Sequence, residues 1–146
     1  MDLATFLTKK DLILVDGAMG TQLEERGAVM GGESNLSHPD TVLEIHKDYV
    51  RCGCHILITN TFVMNRAYIE THKLDVDVRQ VNAAGVTLAK RAAGRDQYVL
   101  GDMTSTGKLL EPYGDLTPDV ARQAFEEQIT ALAEAGVDLI AIETMS

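Results

Sequence analysis

Ile56-Leu57-Ile58-Thr59-Asn60-Thr61-Phe62 sets three apolar β-formers directly against small polar residues and one aromatic. A short run that is apolar at consecutive positions is the pattern of a strand buried on both faces, and such strands belong to parallel sheets. Three more segments share it: Leu12-Ile13-Leu14-Val15, Tyr98-Val99-Leu100 and Leu139-Ile140-Ala141-Ile142. They start at 12, 56, 98 and 139, so consecutive starts lie 41 to 44 residues apart. That interval is far beyond a hairpin loop of about two to five residues.

The intervals read as helix. Residues 39–51 carry Val42, Ile45, His46, Tyr49 and Val50 as an i, i+3, i+4 stripe, with Ser37 or Asp40 to cap the start. Residues 77–93 carry Val78, Val81, Ala84, Val86, Leu88 and Ala89, then Lys90 and Arg91 where cations suit the helix dipole, then Gly94 as the stop. Thr117-Pro118-Asp119 opens a third helix that Gly136 closes, with Thr117 as N-cap and proline in the first turn. The polar, glycine-rich stretch 27–37 reads as a long surface loop.

The order β-loop-α-β-α-β-α-β predicts right-handed crossovers and a parallel sheet, an α/β fold. The chain stops at Glu143-Thr144-Met145-Ser146, directly after a strand. At this spacing four strands are half of an eight-stranded (β/α)8 TIM barrel of roughly 300 residues or more. Residues 1–146 are therefore expected to form the first four βα units of such a barrel, with no internal domain boundary.

The chain has 146 residues, 45% hydrophobic and 24% charged, as in an ordinary globular domain. It carries 13 basic against 22 acidic residues, a net charge of −9. That balance offers no cationic footprint for nucleic acid or an anionic membrane. No apolar run approaches the ~18 residues of a membrane span, and the start is not a secretion signal. The two cysteines, Cys52 and Cys54, are too close in sequence to staple a fold, which points to a reduced, cytoplasmic protein.

Parallel α/β folds place their working residues at the C-terminal ends of strands. Here those ends are Asp16-Gly17-Ala18-Met19-Gly20-Thr21, Thr59-Asn60-Thr61-Phe62 with Asn65, Gly101-Asp102-Met103-Thr104-Ser105-Thr106-Gly107, and Glu143-Thr144. All four are small and polar, which predicts one ligand-facing rim. Taken alone, Asp16-Gly17 is an ordinary turn. Asp102 either binds substrate or orders its own loop. Glu143 is sharper, because a carboxylate straight after a buried strand needs a partner such as a ligand ammonium or a backbone donor. The glycines match neither the P-loop nor G-x-G-x-x-G, which disfavours nucleotide binding. Cys52-Gly53-Cys54-His55 is too tight for a zinc knuckle and sits on the stability face, so no metal ligand is assigned. His38, His46 and His72 read as a loop residue and helix-surface residues without ligand spacing.

Together these segments resemble the homocysteine S-methyltransferase family. Asp16 to Leu23 is similar to its D-G-[AG]-M-G-T-x-L opening, and Asn35-Leu36-Ser37-His38-Pro39-Asp40 with Ile45-His46 and Tyr49 to its N-L-[ST]-x-P-D…I-H…Y stretch. Thr59-Asn60-Thr61-Phe62 with Asn65 matches T-N-T-F-x-x-N, and Ile142-Glu143-Thr144-Met145-Ser146 resembles I-x-E-T-x-S. The 101–107 loop resembles G-D-I-G-P-T-G of cobalamin-dependent methionine synthase. The resemblance implies a (β/α)8 barrel that moves a methyl group onto homocysteine to give methionine. It implies that Asp16, Gly17, Thr59, Asn60, Phe62 and Glu143 line the homocysteine pocket, with Asp102 and Thr104 as loop contacts. Glu143 would take the amino group, backbone donors near Gly17 and Thr59 the carboxylate, and Phe62 the apolar stem. It also implies a zinc that makes the thiolate, held by three cysteines beyond residue 146; Cys52 and Cys54 are not their counterparts. No catalytic residue is assigned within this chain. The methyl donor, or donor protein, is not fixed by the sequence, with cobalamin as one candidate.

Two other readings remain in view. A half-barrel serving as a structural unit would self-associate through its open sheet edges. A different barrel enzyme, such as an aldolase, would need a strand-end lysine, and Lys108 is the sole candidate, deep in a loop.

Overall fold

The computed structural model describes residues 2–9 and 11–145. Helix α1 (Leu3–Lys9) buries Phe6, whose ring centroid lies 4.8 Å from that of Tyr98. Helices α2 (Gly20–Glu25), α3 (Ser34–Ser37) and α4 (Pro39–Arg51) lead to strand β1 (Ile56–Ile58). Then come α5 (Arg66–His72), α6 (Val78–Ala92), β2 (Tyr98–Met103), α7 (Pro118–Glu134) and β3 (Leu139–Ile142). The sheet is parallel in the order β1-β2-β3, with Ile58 beside Leu100 and Gly101 beside Ile140.

Thr117 caps α7 as expected and Asp77 caps α6, whereas neither Ser37 nor Asp40 caps α4, which starts after His38 with no side-chain cap. Asp77 accepts from the Gln80 N–H at 2.9 Å, and Thr117 from the Val120 N–H at 3.3 Å. Gly136 ends the last one with φ +88°, a conformation that side chains resist. α4 buries Val42, Leu43, Ile45 and His46. Leu23, Val42, Leu43, Ile45 and Leu88 form one core cluster and Met64, Ile69, Val78 and Val81 another. Each such aliphatic side chain contributes roughly 1.5–3 kcal/mol by leaving water.

Four expectations need correction. The segment 12–15 is not a strand; it meets the sheet through a single parallel bridge, Val15 to Ile56. Its ladder is interrupted because the Leu14 N–H goes to His55 Nδ1 at 3.0 Å instead of a backbone carbonyl. Nor are all four segments buried on both faces: Leu12 is 69% and Ile142 61% exposed, because each lies at a sheet margin. The stretch 27–37 is not a surface loop throughout, since it contains α3 and buries Ser34 and Asn35. β2 extends to Met103, so Asp102 stands on the strand rather than in a loop. Ser146, the last residue of the I-x-E-T-x-S likeness, lies outside the described residues.

Candidate functional site

The strand-end turns after residue 15, β1, β2 and β3 open onto one cleft of about 620 Å³. Asp16, Gly17, Thr59, Asn60, Phe62, Asp102 and Glu143 all line it, as do Met30, Tyr68 and His72. Among the described residues its lining includes the carboxylates of Asp16, Glu33, Asp102 and Glu143 and neither lysine nor arginine. Such a lining favours a cationic ligand group.

Asp16 has a nearly buried side chain, 2% exposed. Its Oδ2 accepts from the Ile58 N–H at 3.0 Å, and its Oδ1 has no hydrogen-bond partner. Gly17 is required by a neighbour rather than by its dihedrals, because a Cβ there would sit 3.0 Å from the Tyr49 hydroxyl oxygen. That hydroxyl donates to the Ala18 carbonyl at 2.8 Å. Burial first, then the charge of Asp16, holds the Tyr49 phenol above its ordinary range and keeps it a donor.

Thr59 and Asn60 reach the cleft, yet their side chains serve the scaffold. Thr59 Oγ1 accepts from the Asp102 N–H at 3.0 Å, and the Thr59 N–H goes to the Leu100 carbonyl at 2.9 Å. The sheet has therefore already taken one backbone donor expected for a ligand carboxylate. Asn60 Nδ2 donates to the Gly31 carbonyl at 2.9 Å and to Asn35 Oδ1 at 3.1 Å. Phe62 is 37% exposed, with its ring on the cleft wall. Thr104 does not line the cleft; its hydroxyl donates to the Thr144 carbonyl at 3.1 Å and ties the β2 and β3 tips together.

Asp102 is 5% exposed and its Oδ1 has no partner. Burial, then the charge of neighbouring Glu143, pushes its carboxyl up to about 7. The Met103 backbone N–H works the other way and Asp16 adds to the rise. An ammonium group beside Asp102 would offset the burial and the Glu143 charge that hold its carboxyl up.

Five buried amides stand behind the β1 tip. Asn35 Nδ2 donates to the Asn60 carbonyl at 2.7 Å, Asn82 Nδ2 to Met64 at 2.8 Å and Gln128 Nε2 to Thr61 at 2.7 Å. Asn65 Nδ2 reaches the Ser105 carbonyl at 3.2 Å while its Oδ1 caps α5. With Asn60 they fix residues 59–65 from α3, α6 and α7.

Of the histidines read as helix-surface residues, His72 is exposed at the end of α5 as expected and His46 is not. His72 borders the cleft and stacks on Tyr68, with ring centroids 3.8 Å apart. His46 is wholly buried, and its Nδ1 lies 3.8 Å from Asp16 Oδ2. Its place on the apolar stripe of α4 is the signal for this in the sequence.

Among the described residues no three His, Cys, Asp or Glu side chains are grouped to hold a metal ion. Cys54 is buried, and that burial pushes its thiol up to about 11, so it keeps its proton instead of offering a thiolate. The cysteines present do not fit a zinc site. Among the described residues no helix is long and apolar enough to cross a membrane.

Comparison with known proteins gives a consistent result. The family model described as homocysteine S-methyltransferase matches residues 13–146. The homocysteine S-methyltransferase of Escherichia coli strain K12 is 32% identical over 167 aligned residues, covering 98% of this chain and 53% of that protein. A methionine synthase of Mycobacterium tuberculosis strain H37Rv is 30% identical, over 98% of this chain and 13% of that protein. The solved metallated form of the homocysteine methyltransferase MmuM from Escherichia coli superposes with a TM-score of 0.82 at 26% identity, covering 98% of this chain and 57% of that one. The chain thus spans about half the length of the first of these relatives.

Proposed function

Because the chain belongs to the homocysteine S-methyltransferase family, we propose that its cleft binds homocysteine as the methyl acceptor of a methyltransferase that forms methionine. One observation carries the reading: Asp16, Asp102 and Glu143, from three separate strand-end segments, meet in a cleft whose lining, among the described residues, has no lysine or arginine. The substrate ammonium sits among these carboxylates, with Glu143 as its principal partner. Phe62 packs on the thioether-length stem, and the backbone near Gly17 meets the carboxylate. In this reading residues 1–146 are the first half of a (β/α)8 barrel in a cytoplasmic enzyme. In such a barrel the zinc and its cysteine ligands would lie beyond residue 146, as would part of the contacts to the methyl donor, for which cobalamin is a candidate.

The test is calorimetric titration of the chain with L-homocysteine and with 4-mercaptobutanoate, which lacks the amino group. Homocysteine is expected to bind and the analogue to bind at least about tenfold more weakly, a difference of about 1.4 kcal/mol. Glu143→Gln is expected to erase that preference. Equal affinity for the two thiols overturns the assignment of the ammonium to these carboxylates.

A further inference from the structure

His46 and Tyr49 belong to the I-H…Y motif but neither lines the cleft. They lie three residues apart on α4, so both face the same neighbour, the turn that carries Asp16. Tyr49 holds that turn through the Ala18 carbonyl. His46 has no such visible duty: it is 0% exposed, and neither ring nitrogen has a hydrogen-bond partner. A buried imidazole in that state is costlier than an aliphatic side chain of similar size. A carboxylate stands beside it, that of Asp16, with Nδ1 3.8 Å from Oδ2.

We propose that His46 is the positioning residue for Asp16, a buried imidazole packed behind Oδ2 that limits how the carboxylate can turn, so that the other carboxylate oxygen serves the ligand. The geometry divides the carboxylate in this way. Oδ2 is already fixed by the Ile58 N–H at 3.0 Å, and His46 Nδ1 lies 3.8 Å from the same oxygen. Oδ1 is left without a partner in a residue that lines the cleft. His46 does not touch the ligand and acts only through Asp16. The ligand part of this inference rests on the homocysteine reading; the His46–Asp16 coupling does not.

Two measurements test it on the full chain. Long-range proton–nitrogen NMR reads the His46 ring nitrogens in the parent and in Asp16→Asn, with His46→Leu supplying the assignment. The His46 nitrogen shifts are expected to move when Asp16 loses its charge; identical shifts in both proteins overturn the proposal whether or not any ligand binds. The second measurement pairs thermal unfolding with homocysteine titration. His46→Leu is expected to melt at the parental temperature or above, yet bind homocysteine about tenfold more weakly. Its loss and that of Asp16→Asn are expected to be non-additive in the double variant, and His46→Gln to recover part of the affinity. A His46→Leu protein that melts lower and binds as the parent does marks a packing residue and sinks the positioning role. If the parent itself takes no homocysteine, the substrate reading falls, while the nitrogen shifts still decide the coupling.

Discussion

Asp102 is an acid whose folded-state value, about 7, stands above its ordinary 3.8 because of burial and then the charge of Glu143. Such a group binds its proton more tightly in the native chain than in the unfolded one. Its contribution therefore favours folding less and less as pH rises from about 4 to about 7, and the penalty is complete above that window. Denaturant unfolding is expected to show the parent losing up to about 4 kcal/mol across the window, and Asp102→Asn losing less. Parallel pH profiles for the two proteins would remove Asp102 as the cause. Residues of the rim were legible because strand ends can be read from apolar runs: Asp16, Gly17, Thr59, Asn60, Phe62, Asp102 and Glu143 share one cleft. What their side chains do was not legible. Position at a strand end does not say whether Thr59 turns its hydroxyl to a ligand or to the Asp102 N–H, where it is found. His46 escaped because a histidine on an apolar stripe is as compatible with a wet helix margin as with a buried seat.

At the scale of elements, Gly85 separates propensity from packing. It lies inside α6, where alanine is ordinarily better than glycine by about 1 kcal/mol. A Cβ there would meet Asn35 Nδ2 at 2.7 Å and Thr61 Cγ2 at 2.8 Å. Gly85→Ala is expected to destabilise by roughly 1–3 kcal/mol, because it crowds α3 and the β1 tip into a filled space. Thermal unfolding checks this, and a raised melting temperature would mean that the contact relaxes freely. Three long helices were readable since each offers several turns of periodicity, and two of them, α6 and α7, a capping side chain. α1, α2, α3 and α5, of four to seven residues, offer too few positions for a period to show. The lost first strand has a different origin. Its composition is strand-like, but the ladder depends on a partner whose His55 side chain takes the Leu14 amide, and that is not a property of residues 12–15.

Across the whole molecule the sheet margins are apolar and exposed, with Leu12 and Leu14 on one side and Ile140 and Ile142 on the other. Unpaired margins of this kind template further pairing. The net charge of −9 opposes contact between copies, and salt screens it. Sedimentation is expected to show a mass that rises with concentration, more so at high salt, and Ile142→Lys is expected to shift the chain back toward monomer. A monomer under every condition would show that these margins do not pair between copies. Parallel α/β architecture was readable from the spacing of apolar runs, whereas exposure at the margins was not, since it depends on what lies beside a strand rather than on the strand.

The buried amides behind the β1 tip carry a consequence for the order in which the site comes into being. Thr61 and the residue that braces its carbonyl, Gln128, are separated by 67 positions. A ribosome delivers the tip long before the brace, and Asn82 arrives between them. The β1 tip is thus finished from behind by residues made after it, and a nascent chain halted before α7 carries the tip's full sequence without one of its supports.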